Sequence, residues 1–211
     1  MKGSAKLFIC TNVFLLFSYN MVFGQIKIVK VSKQVCNTGY SKLEVEVRKD
    51  GVLLDSLNRK YYNYTSIYKL HDSVKLKIVE HLLQFVSDTS ICCNSVQSYD
   101  NVEYPGCYDE SPTSKSFSIR IESLFIINRV LYNTFTYRIG CYPVLYDSET
   151  KQEVNNNNCF VNIMVERYKA LYKLYKDTGK LPDYHFLNES RIKWWGKHTN
   201  GESNLRSIKF R

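Results

Sequence analysis

The short motifs that announce common enzyme chemistries are missing from this 211-residue sequence. No Gly-x-Ser-x-Gly elbow occurs, which removes the strained nucleophile of the α/β-hydrolase type. No glycine-rich loop is present to cradle a phosphate. The histidines are His71, His81, His185 and His198. None of them forms the pair around a glutamate that a zincin helix requires, and no Cys-x-x-Cys supplies a zinc site. Neither a metal nor another cofactor is expected. Asp109-Glu110 is the one acidic doublet, and solvation accounts for it. A self-similar period of solenoid length is absent as well, which excludes a stacked array.

Long apolar runs are confined to the beginning. Lys2 and Lys6 supply a positive start, residues 7–17 are mostly apolar, and Gly24 provides a small-residue exit. That layout is a secretory signal peptide over residues 1–24, with cleavage at Gly24/Gln25 or just beyond. Thr11, Asn12 and Asn20 interrupt the run, so it is too short and polar for a membrane span. Bulky Leu7, Phe8 and Ile9 before Cys10 rule out a lipobox. The expectation is a single domain, 25–211, exported to the periplasm or the extracellular space, with no transmembrane segment once the leader is gone.

Losing Cys10 with the leader leaves Cys36, Cys92, Cys93, Cys107, Cys141 and Cys159. An even set in an exported chain reads as a disulfide framework, here three bridges of open connectivity. Adjacent Cys92 and Cys93 would strain a mutual bond, so they are expected to fan out to different partners.

The early chain carries strand signals. IKIVKV (26–31) alternates apolar and basic residues, and Leu43, Val45 and Val47 alternate with Lys42, Glu44, Glu46 and Arg48. Asp50-Gly51 marks a tight hairpin, and 52–54 returns. Residues 58–68, rich in Tyr and Asn, read equally as edge strand or loop. Helix signals follow. One helix spans about 72–87 behind an Asp72 or Ser73 cap, with Leu76, Val79, Leu83 and Val86 inward. A second covers 118–133 and is apolar nearly all round, which puts it at the centre of the core. A third runs 159–178 with Phe160, Met164, Tyr168, Leu171 and Tyr175 on one face and Gly179 as its stop. Strands early and helices late imply an α+β fold, a small antiparallel sheet packed against about three helices and stapled by disulfides.

Three stretches, 121–132 (IESLFIINRVLY), 142–147 (YPVLYD) and 188–196 (NESRIKWWG), resemble small exported proteins of the Bacteroidota type, a group without a characterised function. The resemblance implies an envelope or secreted setting and brings no catalytic residue with it.

Charge points to one end of the chain. Residues 159–211 hold eleven Lys or Arg against five Asp or Glu, nearly the whole positive excess of the mature protein. Arg191, Lys193 and Lys197 flank Trp194 and Trp195, and aromatic plus Arg is where binding energy concentrates. These five residues are the expected contact for an anionic or acidic partner, either a protein or an envelope component. Nucleic acid is disfavoured by the leader. The expected function is therefore a non-enzymatic interaction protein. The alternative is a hydrolase using Asp183 and His185, or a carboxylate pair drawn from distant positions that leaves no spacing to read. Intact-mass and N-terminal analysis of the recovered protein should place the mature start near Gln25, and an intact Met1 there would refute the leader.

Overall fold

The computed structural model of the protein describes residues 26–49, 52–56, 70–99, 111–132 and 136–196. Residues 1–25, where the leader is expected, the 58–68 stretch and Cys107 lie outside the described residues.

The early strands form an antiparallel meander in the order β1 (Ile26–Val35), β2 (Ser41–Lys49), β3 (Val52–Ser56). The alternation on β2 sets its register. Leu43, Val45 and Val47 point inward and are at most 1% exposed, while Lys42, Glu44, Glu46 and Arg48 take the wetter face. Across the β1–β2 ladder Val31 faces Val45 and Lys30 faces Glu46, so like meets like on each side. Lys49 pairs with Val52, the closure a two-residue hairpin requires. Asp50 and Gly51 themselves lie outside the described residues.

Helix α1 (Asp72–Leu83) starts one residue earlier than an Asp72 cap would place it and two earlier than a Ser73 cap would. Its cap is His71, whose Nδ1 accepts from the Ser73 amide at 3.3 Å. It also stops short of residue 87. The Gln84 and Phe85 amides bond to carbonyls three residues back, His81 and Leu82, so the last turn tightens and the helix runs out. The buried stripe is Val74, Ile78, Val79 and Leu82, with Leu76 and Leu83 at its margins.

Helix α2 (Ile119–Tyr132) is the centre of the molecule, and every one of its residues is buried. A four-residue turn of helix, α3 (Thr136–Ile139), leads on to β4 (Leu145–Asp147). Helix α4 (Asn158–Thr178) opens under the side chain of Asn157, which accepts from the Cys159 and Phe160 amides. It ends at Gly179, whose φ of 65° lets its amide close on the Tyr175 carbonyl. Met164, Tyr168, Leu171 and Tyr175 face the core as their spacing predicts. Val161 and Val165 are buried beside them, and Phe160 is only half-buried.

After α5 (His185–Asn188), β5 (Ile192–Trp194) returns to pair antiparallel with β4, Leu145 opposite Trp194. Residues 144–146 read as a short extended piece in the sequence, but β5 and its pairing with β4 do not, because a three-residue strand is too short to show a period. Trp194 sits in the core at 3% exposure. Its Nε1 donates to the Tyr168 hydroxyl at 2.7 Å, and that hydroxyl donates to Asn128 Oδ1. The Phe125 ring meets the indole edge-on at 5.3 Å. The chain passes so close at Gly140 that a Cβ there would lie 2.2 Å from that of Trp194. No helix among the described residues is long and apolar enough to cross a membrane.

The disulfide expectation needs correcting. Cys36 pairs with Cys93, and Cys141 is disulfide-bonded, its partner lying outside the described residues. Cys92 and Cys159, however, are free thiols. The bridge between Ser41 and Cys92 explains the first of these. It lays residues 91–93 beside β2, so Cys93 turns toward Cys36 while Cys92 turns into the core. Burial, with the Glu122 carboxylate beside it, pushes the Cys92 thiol far above its ordinary range. Cys159 stands exposed on the first turn of α4. Iodoacetamide should therefore modify Cys159 in the folded protein and reach Cys92 only after denaturation. Peptide mapping that finds a native Cys92 adduct would contradict this placement.

Candidate functional site

Where β4 ends, the chain makes a tight turn organised by one buried carboxylate. Asp147, 1% exposed, accepts from the Glu149 amide and the Thr150 hydroxyl. Arg191, entering β5 on the neighbouring strand, donates to both of its oxygens, Nε at 2.8 Å and Nη2 at 2.5 Å. Its remaining Nη1 lies 2.9 Å from Glu149. This fork geometry is the strong form of an arginine–carboxylate pair. Arg191 holds the Asp147 carboxyl far below the usual carboxylate range, more than offsetting the effect of burial. The guanidinium also lies over the Phe160 ring at 5.4 Å.

Glu153 pins a second strip of chain. It accepts from the amides of Thr113 and Ser114 and from the Ser114 hydroxyl. Burial alone would raise its carboxyl, yet those hydrogen bonds outweigh burial and hold it below its ordinary 4.5. Between this turn and the start of α4 opens a concavity of about 540 Å³, reached by Thr150, Gln152, Asn156, Asn157, Asn158 and Phe160. Asp147, Glu153 and Arg191 form its other wall.

Two of the amides at its α4 end are fixed in orientation. Asn157 commits its Oδ1 to capping the helix. Asn158 commits its Oδ1 to Nη2 of Arg120 at 2.6 Å. An arginine only donates, and a backbone amide only donates, so neither side chain can be turned the other way round. Asn155 is used differently. Buried, it bonds the Leu145 amide and the Pro143 carbonyl and so locks β4 to the helix approach.

The expected contact residues separate in this arrangement, and this corrects the five-residue patch. Ile192 and Trp194 face the core while Arg191, Lys193 and Trp195 lie on the other side of the strand, as a period of two dictates. Trp194 is therefore a core residue. Trp195 is half-buried and meets Tyr146 edge-on at 5.7 Å. Arg191 is exposed but ion-paired, and Lys193 is half-buried. Lys197 lies outside the described residues, as do residues 61–68 and Asp109-Glu110. Of the four that are described, Arg191 alone lines the concavity.

Asp183 and His185 do approach one another, Oδ1 to Nε2 at 3.8 Å, with both side chains more than half exposed. The same Asp183 oxygen accepts the His185 amide at 2.9 Å, the role of a cap at the start of α5. His185 stacks on the Tyr184 ring at 4.3 Å. His81 is half-buried on α1. Among the described residues no group of three His, Cys, Asp or Glu side chains is placed to hold a metal.

The run of asparagines at 155–158 precedes and caps α4, and nothing in its sequence signals its second role at the rim.

Acid should loosen this site in a defined order. A carboxyl depressed in the folded state stabilises the fold above its unfolded value, and that contribution disappears as pH falls through the folded value. For Glu153 the loss begins below about 4.5. Melting curves from pH 7 down to pH 2 should show Glu153→Gln starting lower than wild type and converging with it in acid; parallel curves would remove Glu153 from this role. Compared with known proteins, the chain matches no family model, no curated protein and no solved structure.

Proposed function

We propose that this chain is an exported binding protein that acts through the concavity in front of α4, without chemistry on what it binds. The observation that carries the reading is the state of the site's acids. A glycosidase needs one carboxyl kept protonated as a proton donor. Here Asp147 and Glu153 are both held ionised by hydrogen bonds, and those bonds occupy the oxygens that would act. What they produce is a rigid wall, the pre-organisation that lowers the entropic cost of binding. The Asp183 and His185 pair meets capping needs, and among the described residues no serine, threonine or cysteine is bonded to it.

Export is supported by the leader-like residues 1–24 and by the disulfides at Cys36–Cys93 and Cys141, which suit an oxidising compartment. The likeness of three segments to small exported proteins of the Bacteroidota type agrees with an envelope or secreted setting. The partner is then an envelope component or a secreted molecule, met beside Arg191 and not at Trp194.

The test uses the mature protein and its own isolated cell envelope. Asn156→Trp, which fills the concavity from an exposed position, should abolish co-sedimentation without lowering the melting temperature, and Lys193→Glu should leave co-sedimentation intact. Undiminished binding by Asn156→Trp would displace the site. Cleavage of envelope material by wild type but not by Glu153→Gln would replace the reading with the hydrolase.

A further inference from the structure

Helix α4 buries one side, through Val161, Met164, Val165, Tyr168, Leu171 and Tyr175. Its other side is not simply polar. With about 100° between successive residues, Ile163, Arg167, Ala170, Leu174 and Asp177 fall into one strip along the helix. Ile163 is 47% exposed and Leu174 41%, and Ala170 between them is exposed as well. Arg167 does not close the strip with charge. Its Nε donates to the Phe186 carbonyl at 2.6 Å and its guanidinium lies over the Phe186 ring at 4.8 Å, so the charged end is drawn aside. Single exposed aliphatic side chains are ordinary on a protein surface. Alternating steps of four and three, with apolar residues on both sides of an alanine, are the pattern that a second helix covers.

The charges beside the strip say which helix that is. Glu166 and Lys173 flank it, both exposed. Glu166 has only Lys169 near it, at 2.7 Å on the same exposed turn, and Lys173 has no ion pair among the described residues. With Ile163 and Ala170 at heptad position d, Arg167 and Leu174 fall at a, and Glu166 and Lys173 at g. Laid antiparallel on a second copy, about an axis at residues 168 and 169, the strip complements itself. Ile163 then faces Leu174 of the second copy, and the small Ala170 faces Arg167. Each Glu166 comes beside a Lys173, and the two-fold axis repeats every one of these contacts. Parallel pairing would set Arg167 against Arg167 and Asp177 against Asp177. A strip edged by both signs also offers an anionic surface no consistent field.

We propose that the outer face of α4 is a self-interface, through which two copies of this chain pair antiparallel into a reversible two-fold dimer. A strip this narrow covers less than a standard interface, so the dimer is weak and concentration-dependent. The contact does not rest on the concavity, and binding there can fail while the dimer stands. Exposed Cys159 serves as a built-in reporter. In the antiparallel arrangement the two Cys159 residues lie about 28 Å apart along the helices, out of reach of a disulfide.

Sedimentation velocity on the full mature chain, loaded from about 1 µM to about 1 mM, should show monomer giving way to dimer. Ile163→Glu replaces an exposed residue with a better helix former. It should hold the protein monomeric throughout, with no loss of melting temperature. Glu166→Lys and Lys173→Glu should each weaken the dimer about tenfold, because symmetry turns two attractive pairs repulsive. The two changes together should restore it. Mild oxidation should leave the wild type free of Cys159-linked dimers.

A wild-type protein that stays monomeric at the highest loading overturns the proposal. If that monomer floats with phosphatidylglycerol vesicles and Ile163→Glu does not, the face belongs to a membrane instead. A dimer indifferent to Ile163→Glu uses another surface, which overturns it equally. A charge-swapped pair that fails to recover, or a Cys159 bridge between copies, removes the antiparallel arrangement.

Discussion

A helix with no wet face dictates the terms on which everything else packs. All of α2 is buried, yet it carries Glu122, Ser123 and Asn128 in its interior turns. Each of these polar groups must find a partner inside the protein or cost the fold its desolvation energy. Glu122 accepts the Leu43 amide of β2 at 2.7 Å and the Asn94 side chain at 2.8 Å. Ser123 donates to the Leu82 carbonyl at the end of α1. Asn128 accepts from Tyr168 of α4, which in turn receives Trp194 of β5. One helix thus addresses the sheet, both long helices and the second ribbon by specific bonds, over a background of hydrophobic contact that has no direction.

That arrangement explains which parts of the fold could be read from the chain. The strand alternation at residues 43–47 and the long helical periods carry their own evidence, because each is a local consequence of one face being dry. The all-round apolar character of 121–131 likewise pointed to a central helix. The pairing of the second ribbon left no such mark, since β4 and β5 meet each other across more than 40 residues of chain, as Asp147 meets Arg191. The charge count misled for the same reason. A tally treats Arg191 as free positive charge, whereas the fold places it on two carboxylates.

The two tryptophans and the two adjacent cysteines teach one lesson from opposite directions. In each doublet the extended backbone sends neighbours to opposite sides, so one member enters the core and the other is left half-buried. Trp194 went inward, and with it the centre of the expected contact surface. Cys92 went inward, and with it one of the expected disulfides. Parity of cysteines and proximity of indoles are properties of composition, and pleating overrides both. The candidate site was less legible still, because its definition lies in which atom of each amide is already occupied.

The place of β5 in the sequence bears on how the protein comes to be folded. The slot between Phe125 and Tyr168 is shaped early, by α2 and α4, but the indole that fills it arrives with residue 194. Cys141 and Tyr142 likewise wait for the Trp195 carbonyl to accept their amides. A chain emerging from its N-terminus can form its sheet and helices locally, yet its centre stays unsealed until that late strand is delivered. The three-residue strand that carries the indole is thus the piece that completes the core, although it is the last described strand of the chain.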